Sequence, residues 1–163
     1  MILRKSVEIG TARLCYSAVS SCGAENFKNS GDGGSFQLVY VAAGSAQIEM
    51  NHDLITVQAG QIYDFEKYMG FPCAGKAGED SVFWVAINPD PFTKRFDHQL
   101  IRGGEALSFV GDDKERVLVA LVGAIKANGK TILESNFASI KNGQQINVQV
   151  PEDSTAVVLT TRT

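Results

Sequence analysis

Between residues 37 and 65 the sequence QLVYVAAGSAQIEMNHDLITVQAGQIYDF places apolar side chains at alternate positions in short runs. Each run stops at a glycine or a polar turn. Val39 and Val41 alternate up to Gly44, Ala46 and Ile48 resume before Asn51-His52-Asp53, residues 54–57 form another apolar run closed by Gly60, and residues 62–65 restart the pattern. Four short strands in so little chain leave room only for an antiparallel β meander. The same grammar returns later: an apolar run 117–122, Gly123, residues 124–126, the turn Asn128-Gly129, residues 137–140, Gly143 and residues 144–150. Gly44 to Gly123 is a shift of 79 and Gly60 to Gly143 a shift of 83, which puts four extra residues in the turn of the second copy. A repeat of this length predicts two stacked barrels or half-barrels.

The rest of the chain fits that frame. Residues 6–20 read as two short strands broken at Gly10-Thr11, and residues 21–35, rich in Ser, Gly, Asn and Asp, as a loop. The glycine cluster 31–34 precedes a strand and lacks the Lys-Ser/Thr ending of a phosphate loop, so it reads as a turn. Residues 66–72 read as a loop, 73–80 as a small-residue connection, and the aromatic and β-branched run 82–87 as a strand. Pro89 and Pro91 mark the boundary between a first half, 1–88, and a second, 95–163. In the second half, strands are expected at 96–101, 106–110 and 156–160. The run VLVALVGAIKA at 117–127 suits a buried helix or two strands, and its mid-run glycine and following Asn-Gly decide for strands.

Composition excludes several classes. No window approaches eighteen consecutive apolar residues, so a membrane helix is not expected. Residues 1–5 place their positive charges after the apolar residues with no apolar core following, unlike a secretory signal, which predicts a chain that stays in the cytoplasm. A net charge of −3 with scattered Lys and Arg gives no basic field for nucleic acid. Cys15, Cys22 and Cys73 form neither a C-x-x-C pair nor an even set, and are expected to be inert thiols.

The order strand, Gly44, strand, turn, strand, Gly60, strand resembles the central signature of the cupin superfamily of small β-barrels. Gly44 matches the last glycine of its first motif and Gly60 the first glycine of its second. The resemblance implies an all-β protein of two cupin-like, jelly-roll-type halves packed together. Metal-binding cupins hold a divalent ion with two histidines, a glutamate and a later histidine. Carried onto this sequence, the glutamate slot falls on Gln37, the paired histidine slots on Gly31 and Gly33 or on Ser30 and Asp32, and the late histidine slot on Phe71. In the second half the corresponding slots fall on Arg116 and Ser154. The resemblance therefore implies a barrel pair with no metal and no other cofactor.

Other chemistries have thin support. His52 reads as a hairpin-tip residue and His98 as a strand residue, and no G-x-S-x-G occurs. Asp64 and Glu66 are expected to share a strand face, as exposed acids rather than a catalytic pair. What remains is a pocket or filled core in which Gln37, facing inward as the matched glutamate does, would meet Phe71 and the Trp84 strand. Outside it, Phe36, Leu38 and Tyr40 on one strand and Phe83, Val85 and Ile87 on another are apolar enough to suggest either packing between halves or an interface, with Tyr40 and Phe83 its central residues.

The leading expectation is a non-catalytic protein acting in binding or assembly, as a homo-oligomer or part of a larger assembly such as a virion. The alternatives are a metal-independent isomerase, epimerase or lyase using Asp64, Glu66, Tyr63 or His98, and a sensor barrel for a sugar or other small molecule.

Overall fold

The computed structural model describes residues 2–9, 12–19, 26–28, 35–50, 52–68, 73–78, 80–88 and 95–162. The chain divides into two units, Met1–Arg95 and Phe96–Thr163. The Pro-marked segment expected to part the halves lies outside the described residues.

The first unit runs β1 (Ile2–Ile9), β2 (Ala12–Val19), β3 (Asn26–Lys28), β4 (Ser35–Ala43), β5 (Ser45–Met50), β6 (Asp53–Gln58), β7 (Ile62–Asp64), a 3₁₀ turn (Glu66–Tyr68), β8 (Cys73–Ala77) and β9 (Val82–Asn88). Two sheets result, ordered β1-β2-β9-β4-β7 and β3-β8-β5-β6. Val39 and Val41 from the first sheet meet Ala46, Ile48, Val57 and Ala77 from the second, and Phe65 closes the core. The second unit runs β10 (Arg95–Ile101), β11 (Ala106–Val110), β12 (Arg116–Val122), β13 (Ile125–Ala127), β14 (Lys130–Ile132), β15 (Phe137–Ile140), β16 (Gln145–Gln149) and β17 (Thr155–Arg162). Its sheets are ordered β10-β17-β12-β15 and β11-β16-β13-β14. Leu118, Ala120, Ala156 and Val158 from one pack on Ile125, Ile146 and Val148 from the other. Both units are two-sheet, jelly-roll-type β structures, and the run 117–127 is two strands, with Gly123 between them at φ +64°.

The sheet orders superimpose, with β4 to β9 corresponding to β12 to β17. The cores compensate in volume: Val41 and Ala46 in the first unit become Ala120 and Ile125 in the second, so the bulk lost from one sheet is more than regained from the other. The glycine pairing needs one correction. Gly60 N–H donates to Val41 O (2.7 Å) and Val41 N–H to Gln61 O (3.2 Å); in the second unit Ser135 N–H donates to Ala120 O (2.9 Å) and Ala120 N–H to Asn136 O (3.1 Å). Val41 and Ala120 each lie three residues before their glycine, so the counterpart of Gly60 (φ +81°) is Ser135 (φ +69°), not Gly143. Gly143 turns the chain between β15 and β16. The second hairpin is thus shorter, not longer, with three-residue β13 and β14 where β5 and β6 have six residues each.

Two further expectations change. The connection at 73–80 contains a strand, β8, whose Gly75 is buried opposite both Ile48 and Phe27. The loop at 21–35 contains β3; most of its remaining residues lie outside the described ones.

Candidate functional site

In the second unit the interior core gives way, toward the start of β12 and the end of β17, to a cavity of about 350 Å³. Asp97, His98 and Gln99 of β10, Phe109 and Val110 of β11, Lys114, Arg116, and Val158 and Thr160 of β17 line it. Strand alternation explains the polar half of this wall. Leu118 and Ala120 are core residues, so Arg116, two positions earlier, faces the same side one step further out. Arg116 is paired with Ile140 on one side and Thr160 on the other, which fixes its backbone in the middle of the sheet. Phe109 and Val158 carry the apolar core surface up to these polar groups.

The charges are arranged in pairs. The Arg116 guanidinium donates from Nη1 to Asp112 Oδ1 and from Nη2 to Asp112 Oδ2 (3.1 Å). Asp112 Oδ1 also accepts the Lys114 backbone N–H (3.0 Å). The Arg116 guanidinium, and secondarily that N–H, hold the Asp112 carboxyl below its ordinary value. Arg162 Nε lies 2.8 Å from Oδ1 of Asp97, a lining residue. Arg116 and Lys114 are the cationic side chains in the wall, and Asp97 is its carboxylate.

The residues expected from the sequence to form a site fall elsewhere. Gln37 is fully buried, at a bulge of β4 between Phe36 and Leu38, and its carbonyl accepts the Phe65 N–H (2.6 Å). Trp84 is opposite Tyr40 in the β4–β9 ladder, while positions 83 and 85 are opposite Val41 and Val39. Directly paired residues share a sheet face, so Trp84 belongs with Leu38 and Tyr40, away from the Val39–Val41 core, and does not line a pocket there. The side chain of Phe83 lies outside the described residues. Tyr40 is only 4% exposed in the single chain, so it offers no open surface to a second copy. Phe71 lies outside the described residues.

Asp64 and Glu66 do not share a strand face. β7 ends at Asp64, Glu66 opens the 3₁₀ turn, Asp64 Oδ1 accepts the Glu66 N–H (2.9 Å), and Glu66 lies 3.7 Å from Arg95. Tyr63 stacks on Phe65 with centroids 4.4 Å apart, as part of the core wall. His52 is an exposed turn residue with φ +72°. Ser154 is the buried partner of the Gly123 turn, donating to Ala124 O (2.9 Å), as Ser81 donates to Ser45 O (3.0 Å) beside Gly44.

Of the cavity residues, only His98 and Arg116 could be singled out from the sequence, the latter as a lost carboxylate. The positive charge in a slot that matches a glutamate was the available signal. Lys114, Gln99, Thr160 and Phe109 carried none, since their convergence depends on strand register.

The slots do not suit a metal ion. Arg116 puts a cation where a ligand would stand, and Gln37 replaces a carboxylate by a neutral amide. Among the described residues no group of three or more His, Cys, Asp or Glu side chains is placed to hold one; Ser30, Gly31, Asp32, Gly33 and Phe71 lie outside them.

The fold has counterparts among solved structures. HutD from Pseudomonas fluorescens SBW25 matches with a TM-score of 0.66 at 12% identity, over 99% of this chain and 95% of that one. A cupin 2 conserved barrel domain protein from Leptotrichia buccalis matches with a TM-score of 0.58 at 8% identity, over 99% and 89%. The chain has a cupin fold. The bacterial pirin YhhW from Escherichia coli, solved in complex with nickel(II), shares it with a TM-score of 0.60 at 12% identity, over 98% of each chain. No protein-family model matches the sequence, and no curated protein does. On this cupin fold, Arg116 and Gln37 occupy equivalent places in the two units, one step beyond Leu118 and Val39 along β12 and β4.

Proposed function

We propose that this is a non-catalytic cupin-fold protein that binds a small molecule in the second unit, at the cavity bounded by β10, β11, β12 and β17. One observation carries the reading: a cavity of about 350 Å³ opens directly on the core and combines Phe109, Val110 and Val158 with the polar tips of Arg116, Lys114, Gln99 and Thr160. An apolar floor with a few convergent polar groups is the usual make-up of a small-ligand site of this size.

The non-catalytic reading is supported by how the acid beside Arg116 is held. Asp112 is tied to Arg116, which holds its carboxyl below the ordinary value. A carboxylate stabilised by a guanidinium is a weak proton acceptor, and general base catalysis needs a group whose affinity for protons is raised. The acids once considered for such chemistry, Asp64 and Glu66, belong to the first unit. The assembly reading, with a virion component as its extreme form, depended on Tyr40 and Phe83, and the burial of Tyr40 removes that support.

The test is a thermal-shift and calorimetric screen of small acids, alcohols, amides and sugars against the wild type and Thr160→Val. The expected result is a saturable binder that Thr160→Val weakens while the bound compound is recovered unchanged. Chemical conversion of the compound would overturn the non-catalytic reading; saturable binding that Thr160→Val leaves untouched would move the site elsewhere.

A further inference from the structure

Arg116 reaches the cavity already holding a carboxylate, and that carboxylate is the protein's own. Its two Nη atoms donate to the two oxygens of Asp112, the planar two-point grip that arginine uses on a carboxylate ligand. The partners are not equally fixed. Arg116 sits in the central strand of its sheet with its side chain 18% exposed, whereas Asp112 lies in the turn between β11 and β12 with its side chain 47% exposed. That turn is anchored at Gly111, whose N–H donates to Gln144 O (2.9 Å) and whose carbonyl accepts Gly143 N–H (2.8 Å). Past Gly111, Asp112 is held by Arg116 and by the Lys114 N–H.

The charge balance points the same way. Asp97, the acid in the cavity wall, is engaged by Arg162. If Asp112 swings out, Arg116 and Lys114 face a cavity whose lining contains one acid, Asp97. We propose that the ligand is a small carboxylate with an apolar body, and that it binds by exchanging with Asp112 on Arg116. Asp112 thereby acts as a built-in stand-in for the ligand's carboxylate. Exchange of one carboxylate for another leaves the ion pair intact, so the gain in affinity comes from Lys114, Gln99 and Thr160 and from burial of the body against Phe109, Val110 and Val158. A neutral molecule cannot replace Asp112 and meets an occupied guanidinium. This inference rests on the reading of the cavity as a binding site.

Asp112→Asn tests it, because asparagine keeps the acceptor for the Lys114 N–H while giving up the charge. Acetate, butyrate and benzoate, with acetamide, butyramide, benzamide and inorganic phosphate as comparisons, are titrated into the full chain and followed by amide chemical shifts of residues 97–99, 109–116 and 158–160. The expected result is that Asp112→Asn tightens butyrate and benzoate by about three- to tenfold, the competition a half-exposed two-point ion pair can exert. The amides should not change, and Arg116→Gln should erase the preference for acid over amide. Unchanged or weaker carboxylate binding in Asp112→Asn, with amides still bound, would overturn the stand-in role while leaving the cavity a ligand site. Binding of phosphate in preference to every carboxylate would overturn the ligand class. Shifts elsewhere, or none with any probe in any variant, would overturn both this inference and the site beneath it.

Discussion

Gly44→Ala should be far more damaging than Gly60→Ala, although the two glycines have nearly the same backbone conformation. Gly44 has φ +76° and Gly60 φ +81°, so an alanine at either carries the same left-handed penalty of about 1–2 kcal/mol. Around Gly60 nothing lies within 4 Å of an added Cβ. At Gly44 that atom would overlap Ser81 Oγ and lie 2.9 Å from Ser81 Cα and 3.0 Å from Ser81 Cβ. The hydroxyl could rotate away, but the Cα belongs to backbone and cannot, so a strain of about 1–3 kcal/mol is added. Displacing Ser81 also loosens its contacts with Ser45 N (3.2 Å) and Ser45 O (3.0 Å), about 0.5–1.5 kcal/mol for each net hydrogen bond lost. Gly44→Ala should therefore cost about 3–8 kcal/mol against about 1–2 for Gly60→Ala. Trp84, the only tryptophan and 3% exposed, reports on this unit alone. In urea its emission should show midpoints separated by about 1 M or more, given slopes of about 1–3 kcal/mol per molar. The double variant Gly44→Ala/Ser81→Gly should recover only part of the loss, because the Cα remains. Equal midpoints for the two single variants would refute the argument.

Other consequences are open to the same kind of check. With a guanidinium at Arg116 and an amide at Gln37 in the matched slots, elemental analysis of the purified protein should find no stoichiometric transition metal, and about one equivalent would contradict the fit argument. Asn128, at φ +51°, donates from Nδ2 to Gln145 O (2.9 Å) and accepts the Asn147 N–H on Oδ1 (2.8 Å); Asn128→Ala should destabilise the second unit by about 2–3 kcal/mol, read by circular dichroism, and a neutral result would show the hairpin does not depend on this clamp. The Asp112 carboxyl is held below its unfolded value, so its ion pair contributes fully above that value and is lost as pH falls through the depressed folded one. The melting temperature of the wild type should accordingly drop in acid below about pH 4 more than that of Asp112→Asn, and parallel curves would remove the pair from the account.

The meander was legible because its signals are local: Asn128-Gly129 forces a tight hairpin, and Val39, Val41, Ala46 and Ile48 alternate strictly, each landing in the core. What depends on non-local fit was not. Nothing in the letters says that Ser135 would take the left-handed conformation that Gly60 takes, so pairing glycine with glycine chose Gly143 and misread the length of the second hairpin. β8 was hidden because Ala74-Gly75-Lys76-Ala77 lacks the bulk expected of a strand, yet a small residue is what fits opposite Ile48. The face of Trp84 was misplaced because faces follow inter-strand register, and β4 is bulged at both ends of its pairing with β9. Arg116 was visible as a substitution but not as a binding group, since its partner Asp112 and the cavity beneath it arise only when β10, β11 and β17 are assembled around β12.

The Asp97–Arg162 ion pair has a consequence beyond the cavity wall. It joins the beginning of β10 to the end of β17, the first and last strands of the second unit, which are also neighbours in one sheet. A unit whose entry and exit lie side by side behaves topologically like a closed ring with a removable clasp. Its ends could be linked by a few residues without disturbing a sheet. The same geometry suits a module to being copied in tandem, since each copy returns the chain to where it started, and the matching strand orders of the two units are what such copying would leave behind.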